Sequence, residues 1–308
     1  MYNPSVKEDY LKCGAGAKNS KDFRTVANQS EAMETCLEKD LAFFTRDEVI
    51  KLVNSFELTN PTTIKGYLAA IRAYQIAFSP STELTTAPIS KEEIDIVTAL
   101  KKHFYNSYRS VRDRLEKGVS LVDGYAEPAA LTLAWLGVPF SEVCILQADH
   151  VDLLNGVIAR FPNRDIILTD EPEALQVLRM YANTAKSYRT RNTTYEVYQP
   201  NNNPYFLHAM VPKGSIDKEA KPMAQSNLTS GFTKMSGKAK ELGYDITYVY
   251  TDILRSGELY RIYLAEKSGL AATIKTNEQR VCSMISTKMP YYDLIYQYKK
   301  YKQAFDLH

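Results

Sequence analysis

From residue 30 onward, apolar positions recur at helical spacing through most of the chain. Cys36, Leu37, Leu41 and Phe44 follow Ser30, and Val49, Ile50, Leu52 and Val53 follow Thr45-Arg46-Asp47-Glu48. That tetrad is a capping box, in which a Thr hydroxyl and a Glu three residues on satisfy the first free N–H groups of a helix. Ile64, Tyr67, Leu68, Ile71, Tyr74 and Phe78 predict a helix over 62–78. A second capping box, Ser90-Lys91-Glu92-Glu93, precedes Ile94, Ile96, Val97 and Leu100 and predicts another helix. An apolar helix is expected from Glu127-Pro128 to Leu136, closed by Gly137, with a short one over 141–147. Further helices are expected over 170–181, 226–242, 251–267, 276–285 and 291–305. Convincing β pattern is confined to Val157-Ile158 and Ile166-Ile167-Leu168, bracketed by the turn signals Asn155-Gly156 and Pro162-Asn163-Arg164, which predicts a small ribbon.

Three stretches break the periodicity. Residues 1–30 are polar and irregular and read as an arm or a loosely packed start. Residues 79–88 are rich in Ser, Thr and Pro and read as a linker. Residues 186–222 are rich in Asn, Pro and Tyr and carry no period, which marks a functional or mobile segment. The expected fold class is therefore mainly α: a small helical domain over 1–80, a linker at 81–88, and a larger helical domain with one β ribbon over 89–308.

The 308 residues are 44% hydrophobic and 24% charged, the balance of a globular protein. No apolar run reaches the ~18 residues of a membrane span, and no leader-like apolar stretch opens the chain, so a cytoplasmic protein without membrane contact is expected. The four cysteines (Cys13, Cys36, Cys144, Cys282) are scattered, and the four histidines lack zinc-hydrolase spacing. Phosphate-loop, dinucleotide and esterase-elbow motifs are missing, so neither metal nor cofactor is expected. Overall charge, +2 from 38 basic and 36 acidic residues, decides nothing about partners, but its distribution does.

Residues 186–240 hold nine basic residues (Lys186, Arg189, Arg191, Lys213, Lys218, Lys221, Lys234, Lys238, Lys240) against three acidic ones, interleaved with Tyr188, Tyr195, Tyr198, Asn192 and Asn201. Lys and Arg displace counterions from a phosphate backbone, and Asn and Tyr position it. A solvated basic loop would look the same. Lys65 and Arg72, seven apart, share a face of the helix over 62–78 that also carries Tyr67. Arg255 lies near the start of the helix over 251–267, where a cation suits the macrodipole poorly. An ion pair with Asp252 or Glu258 would explain it as economically as a ligand. The closing tyrosines (Tyr291, Tyr292, Tyr296, Tyr298, Tyr301) could supply a nucleophile, but Tyr at helical spacing is ordinary packing, and an unperturbed phenol near pKa 10 needs cationic help to attack.

The order of these weak signals resembles the tyrosine recombinases, or phage integrases. Residues 60–74 (Asn-Pro-Thr-Thr-Ile-Lys-Gly-Tyr-Leu-Ala-Ala-Ile-Arg-Ala-Tyr) resemble that family's core-binding domain. Residues 131–158, with Leu-Gly-Val-Pro-Phe-Ser-Glu-Val and Asp149-His150-Val151-Asp152, are similar to the first half of its catalytic domain. Leu254-Arg255 followed by Gly269 resembles its second arginine box, and Tyr291 or Tyr292 falls near the nucleophile. The resemblance implies a two-domain fold that clamps double-stranded DNA, with Lys65, Tyr67, Arg72, Arg160, Arg164, Arg189, Arg191, Lys213, Lys221, Lys234, Lys238, Lys240 and Arg255 as DNA contacts.

The departures change the function that the resemblance implies. Where the family carries an arginine on the scissile phosphate, this chain has Pro139. The residue three before Arg255, normally His or another donor in that family, is Asp252, whose carboxylate would repel a phosphate, and the Leu-Gly-His box reads Arg280-Val281-Cys282-Ser283. Arg160 or Arg164 is the nearest counterpart of the hairpin lysine; Glu142 and Arg255 survive. Losing one oxyanion donor commonly costs 10²–10³ in rate, and at least two cationic groups are gone. The expected protein is no enzyme and has no catalytic residue. It resembles the integrase-like repressors of SP-beta-group temperate phages, which hold lysogeny by binding an operator. A homo-oligomer or a phage regulatory protein fits as a further partner. The alternative is an active recombinase cleaving through Tyr291 or Tyr292; a third reading is an accessory protein that binds a recombinase.

Overall fold

The structure is a computed structural model. It describes residues 1–13, 20–79, 88–119, 126–161, 164–167, 171–183, 187–191, 194–198, 204–207, 222–270 and 289–308. The expected helix over 276–285 and nearly all of the expected linker lie outside these residues. The chain divides into two compact units, Met1–Lys102 and His103–His308.

The first unit is helical from its start, a correction to the expected loose arm. α1 (Pro4–Lys12) and α2 (Ser20–Gln29) precede α3 (Glu31–Leu37) and a 3₁₀ turn at Leu41–Phe43. α1 reads as polar because one of its buried residues is Lys7. The Lys7 ammonium lies 2.6 and 2.5 Å from the two carboxylate oxygens of Glu34, and both side chains are 0% exposed. Ser30 Oγ and the Leu41 backbone N–H also donate to that carboxylate, at 2.8 and 2.7 Å. Tyr10, on the same helix, meets Phe23 and Tyr74 edge-on at 4.9 and 5.0 Å. The pattern expected to run as one helix through Phe44 breaks at Glu38, whose φ is 50°, and Asp40 then caps the 3₁₀ turn through the Ala42 N–H.

α4 (Arg46–Ser55) begins at the Thr45–Glu48 capping box, with both of its bonds formed. α5 (Pro61–Phe78) has Asn60 as its cap and Pro at its first position, where a missing N–H costs nothing. The second capping box also forms, but it closes only a 3₁₀ turn, Lys91–Glu93. The following helix, α6 (Ile96–His103), takes its cap from Asp95, whose Oδ1 accepts from the N–H groups of Val97 and Thr98. Residues 88–102 belong to the first unit rather than to a domain starting at 89. Arg46 pairs with Glu93 and Lys102 with Glu57.

The second unit is built around α8 (Ala126–Trp135), buried from Pro128 to Trp135 on every side. A helix apolar all round belongs in a core, and α8 fills that place. Around it lie α7 (Tyr108–Val119), the short α9 (Phe140–Val143), α10 (Pro172–Asn183), α11 (Gln225–Glu241) and α12 (Tyr250–Ala265). α13 (Tyr291–Phe305) packs on α12. The expected ribbon is present as an antiparallel sheet of β1 (Val151–Asp152), β2 (Val157–Phe161) and β3 (Arg164–Ile167). A second hairpin, β4 (Ser187–Arg191) with β5 (Thr194–Tyr198), corrects the expectation of one ribbon. Its period-two run of Tyr188, Thr190, Tyr195 and Val197 lies among charges and Asn residues, which hid the alternation.

Candidate nucleic-acid interface

α5 carries the first group of expected contacts. Lys65 and Arg72 are exposed and line one groove of about 400 Å³ with Leu68, Ala69, Pro88 and Lys91. Tyr67 is half-buried and meets Phe56 edge-on at 5.9 Å, so its ring supports the face instead of standing free. In the second unit, Lys234 and Lys238 are exposed one turn apart on α11, with Lys240 two positions on and turned to another side. Lys238 and Lys240 lie in the last turn, where cations suit the helix dipole. Arg160 is on β2 beside a register shift, and Arg164, opposite Phe161, opens β3. In the β4–β5 register Arg189 is paired with Glu196 and Arg191 with Thr194. Lys213 and Lys221 lie outside the described residues, as does the box at 280–283.

Two of the positions that resemble catalytic ones, Pro139 and Asp252, carry other side chains. α8 ends in a glycine turn: the Gly137 N–H donates to the Ala134 carbonyl at 2.8 Å and the Val138 N–H to Leu133 at 2.9 Å, with φ 93° at Gly137. Pro139 then caps α9, its carbonyl accepting from the N–H groups of Glu142 and Val143. The Tyr250 hydroxyl donates to the Val138 carbonyl at 2.7 Å, and its ring meets Phe140 at a tilt with centroids 4.8 Å apart. Burial holds the Tyr250 hydroxyl well above the usual phenol range. The residues on either side of Pro139 are thus held by Tyr250, and proline itself brings no charge to this position.

Of the two acids spaced to pair with Arg255, the structure selects Glu258: Arg255 Nη1 lies 2.5 Å from its Oε2. Asp252 is taken by His103, whose Nδ1 is 2.9 Å from Oδ2. The two are 149 positions apart in sequence, so nothing in the local pattern signalled their meeting. Arg261, also unsuspected, donates from Nη1 and Nη2 to the Trp135 carbonyl at 2.8 and 2.7 Å, completing the end of α8. Tyr291 and Tyr292 open α13 and meet edge-on at 5.8 Å; Tyr292 is 81% exposed. Tyr298 donates to Glu266 and Tyr301 to the Tyr105 carbonyl, so both are structural. Among the described residues no group of His, Cys, Asp and Glu could hold a metal ion, and no helix is long and apolar enough to cross a membrane.

Comparison with known proteins agrees with the resemblance at the level of the first unit. Residues 1–78 match the family model described as MrpR, N-terminal core-binding domain. The chain is also similar to the SPbeta prophage-derived uncharacterized protein YopR of Bacillus subtilis (strain 168). It is 25% identical to that protein over 281 residues, which is 85% of this chain and 82% of the relative. A crystal structure of XerA recombinase aligns over 94% of this chain and 90% of its own at 13% identity, with a TM-score of 0.43.

Proposed function

We propose that the chain is a sequence-specific double-stranded-DNA-binding regulator that uses a recombinase-like fold without cutting DNA, and that it acts as a phage repressor maintaining lysogeny. The observation that carries this reading is Pro139, which caps a short helix at the position resembling a phosphate-binding arginine and brings no charge to it. Supporting it, the unit matched to a core-binding domain presents Lys65 and Arg72 on one groove. The phage setting rests on the similarity to a prophage-derived protein. Arg160, Arg164, Arg189, Arg191, Lys234, Lys238 and Lys240 would extend the contact in the second unit.

One observation favours the second reading, an active recombinase: Tyr292 is open to solvent at the head of α13. Duplexes selected by the protein from a random pool separate the two. The proposed function requires a consensus sequence, a complex on native gels, and no covalent adduct with nicked suicide versions on denaturing gels. The double variant Tyr291→Phe/Tyr292→Phe should bind nearly as tightly as wild type. An adduct at either tyrosine would make the protein a recombinase, and failure to select any sequence would remove the regulator.

A further inference from the structure

The start of α12 has the wrong balance of charge for a phosphate contact at Arg255. From Tyr250 to Glu258 the helix carries two carboxylates, Asp252 and Glu258, against one guanidinium. Glu258 lies 2.5 Å from Arg255 and is 6% exposed. Asp252, one turn before Arg255, is 28% exposed. A carboxylate in a first turn suits the positive end of the helix dipole, but it repels a phosphate drawn to the neighbouring arginine. The side chain on Asp252 is His103, whose Nδ1 lies 2.9 Å from Oδ2. His103 is the first residue of the second unit and the last of α6, a helix end that favours positive charge. Backbone bonds fasten the chain just beyond it. The Tyr105 N–H donates to Ser256 Oγ at 3.1 Å, and the Tyr105 carbonyl accepts from the Tyr301 hydroxyl at 2.9 Å. The imidazole is therefore brought to Asp252 by more than its own side chain. It is 46% exposed, and on protonation it carries the charge that cancels the carboxylate.

We propose that His103 is a countercharge for DNA binding: it screens the Asp252 carboxylate and so lets Arg255 hold a phosphate. The proposal rests on the DNA-binding reading given above. It predicts that His103 matters only while residue 252 is an acid, which a purely structural histidine would not show.

The test is fluorescence anisotropy of selected duplexes with the full-length chain at several salt concentrations. Four proteins are compared: wild type, His103→Ala, Asp252→Asn and the double variant His103→Ala/Asp252→Asn. At low salt His103→Ala should bind about fivefold weaker than wild type, the upper end of what a partly exposed pair of charges supplies. The gap should narrow as salt rises, because screening weakens the repulsion that the variant uncovers. Asp252→Asn should bind at least as tightly as wild type, and the double variant as tightly as Asp252→Asn, since His103 acts through that carboxylate. His103→Gln takes the place of His103→Ala, and is read in the same way, if the alanine variant fails to fold by circular dichroism. Wild-type affinity in a folded His103 variant would overturn the proposal, as would a loss that persists in the double variant or does not change with salt. No binding by wild type would remove the DNA reading and this proposal with it, whereas wild-type binding that is indifferent to His103 would remove this proposal alone.

Discussion

At Gly137 the backbone adopts φ 93° so that two successive N–H groups can turn back onto the last carbonyls of α8. A residue with a Cβ is strained there, so Gly137→Ala should cost about 1 kcal/mol, seen as a lower denaturation midpoint with an unchanged slope. This was legible in the sequence: an apolar helix, then Gly, then Pro two residues on, specifies that stop. Lys7 was not legible, because a lysine in a polar stretch reads as surface until its partner is known. Glu34 lies 27 positions away and supplies the charge that lets Lys7 be buried. Glu34→Gln should therefore cost about 3–5 kcal/mol by stranding the ammonium. Replacing both residues by apolar ones should cost much less, and urea denaturation of the three proteins compares the effects. Arg255 was legible in part. Spacing offered Asp252 and Glu258 as partners, but only tertiary structure brings His103 to Asp252 and leaves Glu258 for the arginine.

Helices with strong local signals formed as read. The Thr45–Glu48 box, the Asn60-Pro61 start of α5 and the Tyr291–Phe305 span of α13 need no distant partner to be recognised. Elements whose stability is tertiary escaped: α1 and α2 show a narrow apolar face that makes sense only against Tyr74, and β4–β5 hides its alternation under Arg189, Arg191 and Glu196. The second capping box shows that a local signal can be right about its bonds and wrong about length, since Asp95 starts a fresh helix after one 3₁₀ turn. Packing between elements sets the sharpest constraint at Gly257. There α12 approaches the end of α8 so closely that a Cβ would overlap the Trp135 carbonyl. Gly257→Ala must push the two helices apart and weaken the Arg261 bonds to that carbonyl. A loss of about 3 kcal/mol or more is expected, read as a lower Tm; an unchanged Tm would mean that the two helices can separate at no cost.

For the whole molecule, the 22 tyrosines give a pH signature. Burial raises the Tyr105, Tyr108, Tyr250 and Tyr301 hydroxyls above 10 and pushes Tyr248 up to about 12, and in the first unit Tyr74 is raised by burial and by Asp40. Below pH 10 these phenols are neutral in both the folded and the unfolded chain, so the stability they protect is intact. Above pH 10 only the unfolded chain can ionise them, and stability falls by about 1.4 kcal/mol per pH unit for each such phenol as pH rises toward 12. Absorbance of tyrosinate should rise in two phases, exposed rings near pH 10 and buried rings only with loss of helical circular dichroism; a single phase near pH 10 would contradict the described cores. The proposed function requires that a chain of net charge +2 bind duplex DNA through localised cationic faces. The most direct measurement is the affinity of the wild-type protein for its selected duplex as monovalent salt rises from low to physiological concentration. If about five to nine phosphates are contacted, log K should fall against log[salt] with a slope near −0.9 per phosphate. A flat line over that range would contradict the account.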